Sequence, residues 1–595
     1  MRWRERLPQA ALALYALATA FLLAHTCWHV ITGTTNVPYR DDWTFVELLD
    51  SASRGESVLQ GLWTPHWGHR PVVARLLFLL NAKLFALAGM PMIVLILALQ
   101  GLHVGLLSYA SRGLFGGAGR VLFAALVTAH VSLLFSSLQI ENFIWAWQVQ
   151  FVLVYAAAAG AFFFVALLAH RKGQAGKASR LDAGLILPAV ACGAISSFSM
   201  ANGILVWPLL LLLALGLKLR SAAVAVAVCG VAAGGVFFAG YVAEVSGMGM
   251  GMGVAALSPF STLWLMAMFM GGVVNQEFLS LSVAAGFAGL LSIGYFSWLF
   301  VRRAEVRSPF FAFHLWSAVF ALVSSLAIVV TRLSPELIAQ MQQMGLPPVP
   351  SRYLTPALLF WANLAPLALD TFLVRTRSLP ALLVLGTIIA GMGPGTMLWQ
   401  LRNSKEFKSF FRQNDAAAAA LIVGVEDRET LQGIHPAANQ ALGSYEAYLT
   451  DLSAVLRRQG LAFFAEPRAE WPGMKLQESF ATRGEACQGE VEQVEPLSGG
   501  GLKLRGWVWD GVAGNVPQDL VVADCRGTIV GLARSGIRRA DIKRRAGTVT
   551  HGDPGWMGYA KPAEDVTSCA AGVYAVVNRR AREICAVPAR GIGSR

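Results

Sequence analysis

The sequence predicts a mainly α-helical membrane protein, a polytopic transmembrane helical bundle followed by a small C-terminal β-sandwich-like domain. Mean hydropathy is +0.54, and only 14% of the residues are charged. Apolar runs of about 20 residues, the length that crosses a bilayer as a helix, recur through residues 8–400. After residue 470 the pattern changes to short alternating strands between Gly-rich turns, as in GGGLKLRGWVWD and AGVYAVVNRR. A soluble globular protein is therefore excluded.

The positive charge is concentrated in the apolar part of the chain. The formal net charge is +13; residues 401–595 carry 25 Lys and Arg against 22 Asp and Glu, whereas residues 1–400 carry 23 against 13. Cytoplasmic loops of membrane proteins collect Lys and Arg. The excess is therefore explained by membrane topology, and no nucleic-acid partner is predicted.

Eleven apolar runs are predicted to cross the membrane, with the N-terminus in the cytoplasm. This orientation places sixteen Lys and Arg in the short inner loops and five in the short outer loops, as the positive-inside bias requires. Two more apolar segments, beginning at His69 and Ser258, are predicted to lie in the outer interface, because counting them as spans reverses that bias. The predicted spans are 8–31, 91–111, 120–138, 148–169, 182–198, 203–217, 221–243, 282–301, 309–331, 354–373 and 379–399.

The chain is predicted to comprise three regions. Residues 1–400 form the transmembrane domain, whose first outer loop covers 32–90. Residues 401–470 form a helical connecting segment, and residues 471–595 form an extracytoplasmic β-rich domain. Four of the seven cysteines fall in this last region, none in a CxxC spacing, so we expect up to two disulfides there rather than a zinc site, with their pairing open.

Polar and aromatic residues collect in the loops of the predicted outer face, and polar groups in such an apolar protein are candidates for function. The first loop contains Asp41 and Asp42 in YRDDW, and later loops contain LQIENFIWAWQVQ and SRYLTP. Each has a simpler explanation: a helix cap for the Asp pair, an interfacial belt for the two tryptophans and a snorkelling side chain for Arg352. A belt does not account for Glu141 and its neighbouring amides.

Five motifs, YRDDW, HWGHRPVVARLLFL, ENFIWAWQVQF, SMANGILVWP and SRYLTP, follow one another along the chain. Together they resemble the GT-C superfamily of polytopic membrane glycosyltransferases, and within it a group of bacterial proteins, over about residues 8–400. The resemblance implies a transferase in the bacterial inner membrane with its C-terminal domain in the periplasm. It implies a polyprenyl-phosphate-linked sugar as donor and an envelope glycan or lipid as acceptor.

The resemblance also implies a catalytic acidic residue at the start of the first outer loop, which is Asp41 or Asp42 in this sequence. Such a residue acts as general base or orients the acceptor hydroxyl. The pair could hold a divalent cation together with Glu141 or Asp50, although many superfamily members that transfer single sugars need none. No other cofactor is predicted.

The chemistry of sugar transfer suggests roles for the remaining polar residues of the outer face. A departing phosphate is stabilised by cations, and arginine can contact it through two donors. Sugar hydroxyls suit amides and carboxylates, and an apolar sugar face suits aromatic rings. The predicted donor-phosphate residues are Arg70, Arg352, Arg332 and His69. The predicted sugar or acceptor residues are Glu141, Asn142, Trp145, Gln148, His66 and Tyr353.

The competing prediction is a transporter or flippase for a lipid-linked saccharide. Transporters carry polar groups near the bilayer midplane and often contain repeated halves. Here the outer-face groups lie in loops and span ends, and no repeated halves are evident. No GxxxxGK[ST] phosphate loop occurs, so neither a nucleotide donor nor an ATPase is predicted. These observations favour the transferase.

Overall fold

The chain folds into two compact units in a computed structural model. The model describes residues 2–588 except 116–119, 176–180, 242–257, 276, 345–346, 376–377, 436–444, 498–499, 546, 548, 550–551 and 563–571. The first unit contains Met1–Val30, Leu62–Leu76 and Ile93–Ser404. The second contains Ile31–Gly61, Leu77–Met92 and Lys405–Arg595. Most of the predicted first outer loop thus belongs to the same unit as the C-terminal region.

Helices make up most of the described chain, which confirms the predicted mainly α-helical class. We number them in chain order: α1 Arg2–Gly33, α2 Asp42–Ser53, α3 Val58–Trp63, α4 Val72–Phe85, α5 Gly89–Phe115, α6 Arg120–Leu134, α7 Glu141–Ile144, α8 Val149–Ala175, α9 Leu181–Ser197, α10 Val206–Gly216, α11 Arg220–Phe238, α12 Pro259–Gly271, α13 Leu279–Arg302, α14 Pro309–Arg332, α15 Pro335–Gln343, α16 Thr355–Ala368, α17 Leu379–Met392, α18 Met397–Val423, α19 Arg428–Ile434, α20 Tyr445–Gln459, α21 Leu476–Ser479 and α22 Ala540–Arg545.

Eight helical segments in the described part of the chain are long and apolar enough to cross a membrane, with mean hydropathies from 1.3 to 2.5. Each overlaps one of the predicted spans. The chain is therefore a multi-pass helical membrane protein. The eight segments are Gln9–Gly33, Gly89–Phe115, Arg120–Gln139, Ala146–Gly173, Arg220–Phe238, Leu279–Arg302, Pro309–Arg332 and Ser351–Leu373.

The other three predicted spans are shorter or interrupted. Segments 182–198 and 203–217 correspond to α9, of 17 residues, and α10, of 11 residues. Segment 379–399 is not one helix, because α17 ends at Met392 and a turn at Pro394–Thr396 leads into the polar helix α18. Proline lacks the N–H that would continue a helix. At 14 residues, α17 is about 21 Å long, against about 30 Å for the apolar bilayer core.

The centre of the first unit is formed by α8 and α16, with α14 packed against both. In each of the two central spans, 83% of the membrane-length window is buried. A second close contact joins α12 to α13, where a Cβ atom added at Gly286 would collide with the carbonyl of Ala267. Small residues let membrane helices approach closely. Glycine is therefore required at this crossing.

The second unit contains a buried network of ion pairs. Asp415, on α18, is 1% exposed and lies 3.2 Å from Arg534, 3.4 Å from Arg412 and 3.7 Å from Arg468. Arg534 pairs in addition with Asp519. Because a buried charge is costly without partners, this network ties α18 to the strands that carry Arg534 and Asp519.

The C-terminal β domain is confirmed, and the eight strands among its described residues form one curled sheet. The strands are β1 Ala481–Thr482, β2 Gln488–Pro496, β3 Leu502–Trp509, β4 Asp519–Ala523, β5 Ile529–Ile537, β6 Gly555–Ala560, β7 Gly572–Asn578 and β8 Glu583–Val587. Their order is β1-β8-β7-β4-β5-β6-β3-β2. The Val491 N–H of edge strand β2 reaches the Pro588 carbonyl at 3.0 Å, so the sheet nearly closes on itself. A disulfide joins Cys487 to Cys585 across this closure.

Candidate functional site

A tight hairpin at His66–His69 begins the polar region of the first unit. The backbone N–H of His66 donates to the His69 carbonyl at 2.8 Å, and that of His69 to the His66 carbonyl at 2.9 Å. The two central residues, Trp67 and Gly68, have φ values of 47° and 80°, as a type I′ turn requires. The Tyr241 hydroxyl donates to the Gly68 carbonyl at 2.6 Å and holds the turn in place.

The hairpin brings His66 and His69 to two different loops of the first unit. The His66 ring lies edge-on to Trp147, with 5.6 Å between ring centroids. The His69 Nδ1 atom accepts the Ala201 N–H at 3.2 Å, which leaves the proton of the neutral ring on Nε2. Both side chains are half-buried. The motifs HWGH, ENFIWAWQVQ and SMANG therefore meet at one end of the helices.

Arg70 is fully buried, and its guanidinium donates hydrogen bonds to backbone carbonyls of the protein. Its Nε, Nη1 and Nη2 atoms each lie 2.7 Å from a backbone carbonyl oxygen, those of Phe237, Trp63 and Ala239 respectively. Two of these carbonyls are at the C-terminal end of α11, where a cation is favourable. Arg70 thus positions the hairpin, and we leave it out of the phosphate site.

Arg332 is an exposed cation at the end of α14. Its Nη2 atom is 3.5 Å from the Trp67 carbonyl oxygen, which places the guanidinium beside the hairpin. The contact is long for a hydrogen bond. Unlike Arg70, Arg332 therefore keeps a charge that solvent or a ligand can reach.

A largely buried ion pair joins Glu141 to Arg352. Arg352 Nη1 donates to Glu141 Oε1 at 3.0 Å, and the Arg352 backbone N–H donates to Oε2 at 3.0 Å. The Glu141 and Arg352 side chains are 12% and 24% exposed. The guanidinium also lies 4.8 Å from the centre of the half-buried Tyr353 ring. The structure thus brings together three of the predicted site residues.

The amides near this pair are buried. Asn142 Nδ2 donates to the Arg352 carbonyl at 2.9 Å and to Thr355 Oγ1 at 2.7 Å, so Asn142 holds the two loops together. Gln148 is 2% exposed and Trp145 3%. Among the residues that the structure describes, the amide oxygens of Asn142, Gln148 and Gln150 are buried without a hydrogen-bond partner. These oxygens can accept hydrogen bonds from a bound group or water.

Asp42 and Asp41, in the second unit, have different surroundings. Asp42 is 7% exposed, and its Oδ2 atom accepts the Tyr39 N–H at 2.9 Å. Asp41 is half-exposed and stands at the N-cap position of α2, but its side chain makes no capping hydrogen bond. The predicted cap is therefore replaced by the hydrogen bond of Asp42 to Tyr39. Asp41 is the more accessible carboxylate.

His435 lies beside Asp41, and no sequence pattern selects it as a site residue. The Arg40 N–H donates to the Ile434 carbonyl at 2.6 Å, which places residue 435 next to the YRDDW turn. Burial lowers the pKa of His435, while the carboxylates of Glu47 and Asp41 oppose that change. The His435 ring packs on Tyr448, whose hydroxyl donates to Glu47. A lone histidine in a polar segment has no periodicity or spacing that could have identified it.

The predicted cation ligands are divided between the units, since Asp41 and Asp42 belong to the second and Glu141 to the first. Within the part of the chain that the structure describes, no group of three or more His, Cys, Asp or Glu side chains is arranged to hold a metal ion.

The fold and these residues define a polytopic helical membrane protein with a polar loop cluster at one end of its helices and a C-terminal β domain. No family model and no curated protein matches its sequence. Two solved structures of an oligosaccharyltransferase from Archaeoglobus fulgidus are similar in fold. The match to the apo form covers 79% of this chain and 66% of the archaeal chain, at 12% identity and a TM-score of 0.41. The match to the AglB complex with an inhibitory peptide and a dolichol-phosphate covers 80% of this chain and 66% of the archaeal chain, at 12% identity and a TM-score of 0.40.

This chain thus spans slightly less than two thirds of the archaeal enzyme. A likeness at this identity and TM-score is not evidence of a shared function.

Proposed function

We propose that this chain is a glycosyltransferase of the bacterial inner membrane that acts at its outer face. Its donor is a polyprenyl-phosphate-linked sugar, and its acceptor is an envelope glycan or lipid. The observation that carries the proposal is the polar loop cluster around the Glu141–Arg352 pair at one end of an apolar helical unit. Ionised groups are costly in such surroundings and so indicate function. The motif resemblance lies in the same loops and supports the same class.

In the proposed reaction, the acceptor oxygen forms a bond to the sugar C1 atom while the bond from C1 to the phosphate oxygen breaks. The electron pair of the broken bond leaves with the polyprenyl phosphate. The hydroxyl proton passes to a carboxylate base. Asp41 is our candidate for this base because it is half-exposed and makes no helix cap, whereas Asp42 holds the turn through Tyr39.

Arg352 and Arg332 are the proposed phosphate contacts. Arg352 is held by Glu141 and remains 24% exposed, so its orientation is set before a ligand arrives. Arg332 is exposed at the end of α14. Fixed cations aimed at a developing negative charge lower the barrier without rearranging during the reaction. His69, in the hairpin beside Arg332, is a neutral donor through Nε2 when it accepts the Ala201 N–H.

A divalent cation held by Asp41 and Asp42 is an alternative way to neutralise the phosphate. Chelation separates the two routes. If the arginines suffice, transfer activity persists in excess EDTA. If EDTA abolishes the activity and Mg²⁺ or Mn²⁺ restores it, the cation is required.

The outer-face placement is supported by two independent features. Disulfides such as Cys487–Cys585 persist in oxidising compartments, and the second unit contains both this disulfide and Asp41. The distribution of Lys and Arg among the short loops supports the same orientation.

A lipid-linked saccharide transporter or flippase is the second candidate function. It is favoured by buried polar side chains within the spans, such as His103, which is 2% exposed and lies near the middle of α5. Transporters place such groups at mid-depth.

The test is a strain that lacks the gene, complemented with wild type, Asp41→Asn or Asp451→Asn. Asp451 is an exposed aspartate of the second unit and serves as the matched control. We expect the deletion to remove one sugar from an envelope glycan or lipid, and wild type and Asp451→Asn to restore it. Accumulation of an unmodified saccharide on the cytoplasmic side would instead support the flippase.

A further inference from the structure

One tryptophan at the loop end of the first unit has an exposed ring. Within the part of the chain that the structure describes, three tryptophans are more than a third exposed: Trp28 at 64%, Trp298 at 50% and Trp67 at 45%. Trp28 and Trp298 belong to apolar helices long enough to cross a membrane, where an exposed ring faces lipid. Trp67 lies outside those helices, at the tip of the His66–His69 hairpin.

The backbone at Trp67 does not suit a tryptophan. Its φ of 47° is in the left-handed region, which is unfavourable for a bulky side chain. A type I′ turn prefers Asn at its first central position and Gly at its second. Gly68 follows this preference, but position 67 carries the largest of the twenty side chains. Because strained backbone persists mainly where function requires it, the Trp67 ring has a purpose other than forming the turn.

Contacts within the first unit hold the Trp67 ring in place. The His66 ring stands at 85° to the Trp67 ring, with 6.4 Å between centroids, and at 77° to the Trp147 ring, with 5.6 Å between centroids. Trp147 is fully buried, so His66 links the exposed indole to the packed interior. A ring that is already ordered loses little conformational freedom when a ligand packs on it.

A cation lies beside the same residue. The Arg332 Nη2 atom is 3.5 Å from the Trp67 carbonyl oxygen, and Arg332 is exposed. In a polyprenyl-phosphate-linked sugar one oxygen atom joins the sugar to the phosphate, so a site for the sugar ring has to adjoin a site for the phosphate. An exposed indole next to an exposed guanidinium meets this requirement. Trp145 and Trp147, at 3% and 0% exposed, offer no open ring face.

We propose that the Trp67 indole is the surface on which the sugar ring of the lipid-linked substrate packs. The ligand is a pyranose, and the weakly positive C–H bonds on one face of the pyranose are attracted to the negative face of the indole. Its hydroxyls stay at the edge of the indole, within reach of the Arg332 side chain. The ligand class, a sugar on a polyprenyl phosphate, rests on the proposed function. The role of Trp67 is the same in a transferase and in a transporter.

An exposed tryptophan at a membrane surface has a second explanation, an anchor in the lipid interface. An anchor fixes the depth of the chain in the bilayer and therefore affects the binding of every ligand alike. A surface for the sugar ring affects only a ligand that carries a sugar. Two ligands that differ by the sugar alone therefore separate the two roles.

Titration calorimetry with such paired ligands tests the proposal. The full chain in nanodiscs is titrated with geranyl phosphate and with geranyl phosphate linked to glucose, galactose, mannose or N-acetylglucosamine, and the heats from empty nanodiscs are subtracted. We expect at least one of the sugars to tighten wild-type binding about tenfold, as aromatic stacking contacts do. Trp67→Asn should abolish this gain and should bind geranyl phosphate like wild type.

The variants are chosen so that the fold is kept. Asn followed by Gly is the preferred pair in a type I′ turn, so Trp67→Asn should not lower the melting temperature. Trp67→Phe retains an aromatic ring and should retain part of the gain. Trp298→Asn is the matched control, since it makes the same change at an exposed tryptophan of a membrane-length helix, and it should bind both ligands like wild type.

The proposal is overturned if none of the sugars tightens wild-type binding, or if Trp67→Asn keeps the full gain. It is also overturned if Trp67→Asn weakens the binding of both ligands equally, as expected for an anchor, or if Trp298→Asn loses the same gain. The proposed transfer function fails separately. A chain that binds the sugar through Trp67 but transfers none of it would contradict the transferase alone.

Discussion

Replacing Glu141 with glutamine removes the negative charge that faces Arg352. The guanidinium and the backbone N–H of Arg352 each donate to a different Glu141 oxygen at 3.0 Å. Glutamine keeps the shape of the side chain but offers one uncharged carbonyl oxygen, so one of these two donors loses its acceptor. Because the two side chains are only 12% and 24% exposed, water cannot fully replace the lost contact. We expect the variant to be destabilised by about 2 kcal/mol, in the range for hydrogen bonds to charged groups.

A double-mutant cycle isolates the pair from the loops around it. Glu141→Gln, Arg352→Gln and the double variant are unfolded in lipid–detergent micelles, with tryptophan fluorescence as the signal. The coupling free energy should be about 1–3 kcal/mol, since removing one partner of a buried pair leaves the other uncompensated. The exposed pair Arg303–Glu305, at 3.6 Å with side chains 59% and 65% exposed, is the control and should show no measurable coupling. A coupling of zero for Glu141–Arg352 would refute the view that this pair holds the two loops.

Three further predictions concern other parts of the chain. Replacing Glu47 with glutamine removes a charge that raises the pKa of His435, so that pKa should fall further. The pH dependence of diethylpyrocarbonate labelling, read from peptide mass spectra, measures it. An unchanged pKa would contradict the electrostatic contact between Glu47 and His435. Burial would raise the pKa of Asp519, but Arg534, Arg468 and Arg579 hold that pKa below its ordinary value. The ionised carboxylate therefore stabilises the fold above pH ~4, and this contribution is lost as the pH falls through the lower folded pKa. Asp519→Asn should lower the melting temperature at pH 7 and make the melting temperature fall less steeply below pH 4. Replacing Gly286 with alanine should lower the melting temperature because the new methyl group meets the Ala267 carbonyl, whereas Gly294→Ala, with open space at that position, should not.

The long helices could be predicted because a span of about 20 apolar residues leaves a strong pattern. Gly393 and Pro394, which break the helix after Met392, are present in the sequence. Because apolar residues continue on both sides of them, the hydropathy pattern predicts one uninterrupted span there. The strands were predictable from their alternation, whereas their closure into one curled sheet depends on pairs such as Val491 with Pro588. Such long-range pairing leaves no local pattern.

The site residues divide in the same way. Polar residues in an apolar chain stand out, and this identified Glu141 and Arg352. It could not reveal that the Arg70 guanidinium is used by three carbonyls, because burial depends on packing with α11. Trp147, for which an interfacial belt is the simpler explanation, is 0% exposed. His435 was missed because it reaches Asp41 only through the folding of the second unit.

The central claim is that the chain transfers a sugar with Asp41 as base. The most direct measurement uses the purified full chain in nanodiscs with a polyprenyl-phosphate-linked radiolabelled sugar and a crude envelope acceptor fraction, and follows label in the acceptor. We expect transfer by wild type and Asp451→Asn, and a loss of about 100-fold or more in Asp41→Asn, within the range for removing a general base. Full transfer by both Asp41→Asn and Asp42→Asn would contradict the catalytic assignment. No transfer by wild type from any such donor would contradict the function.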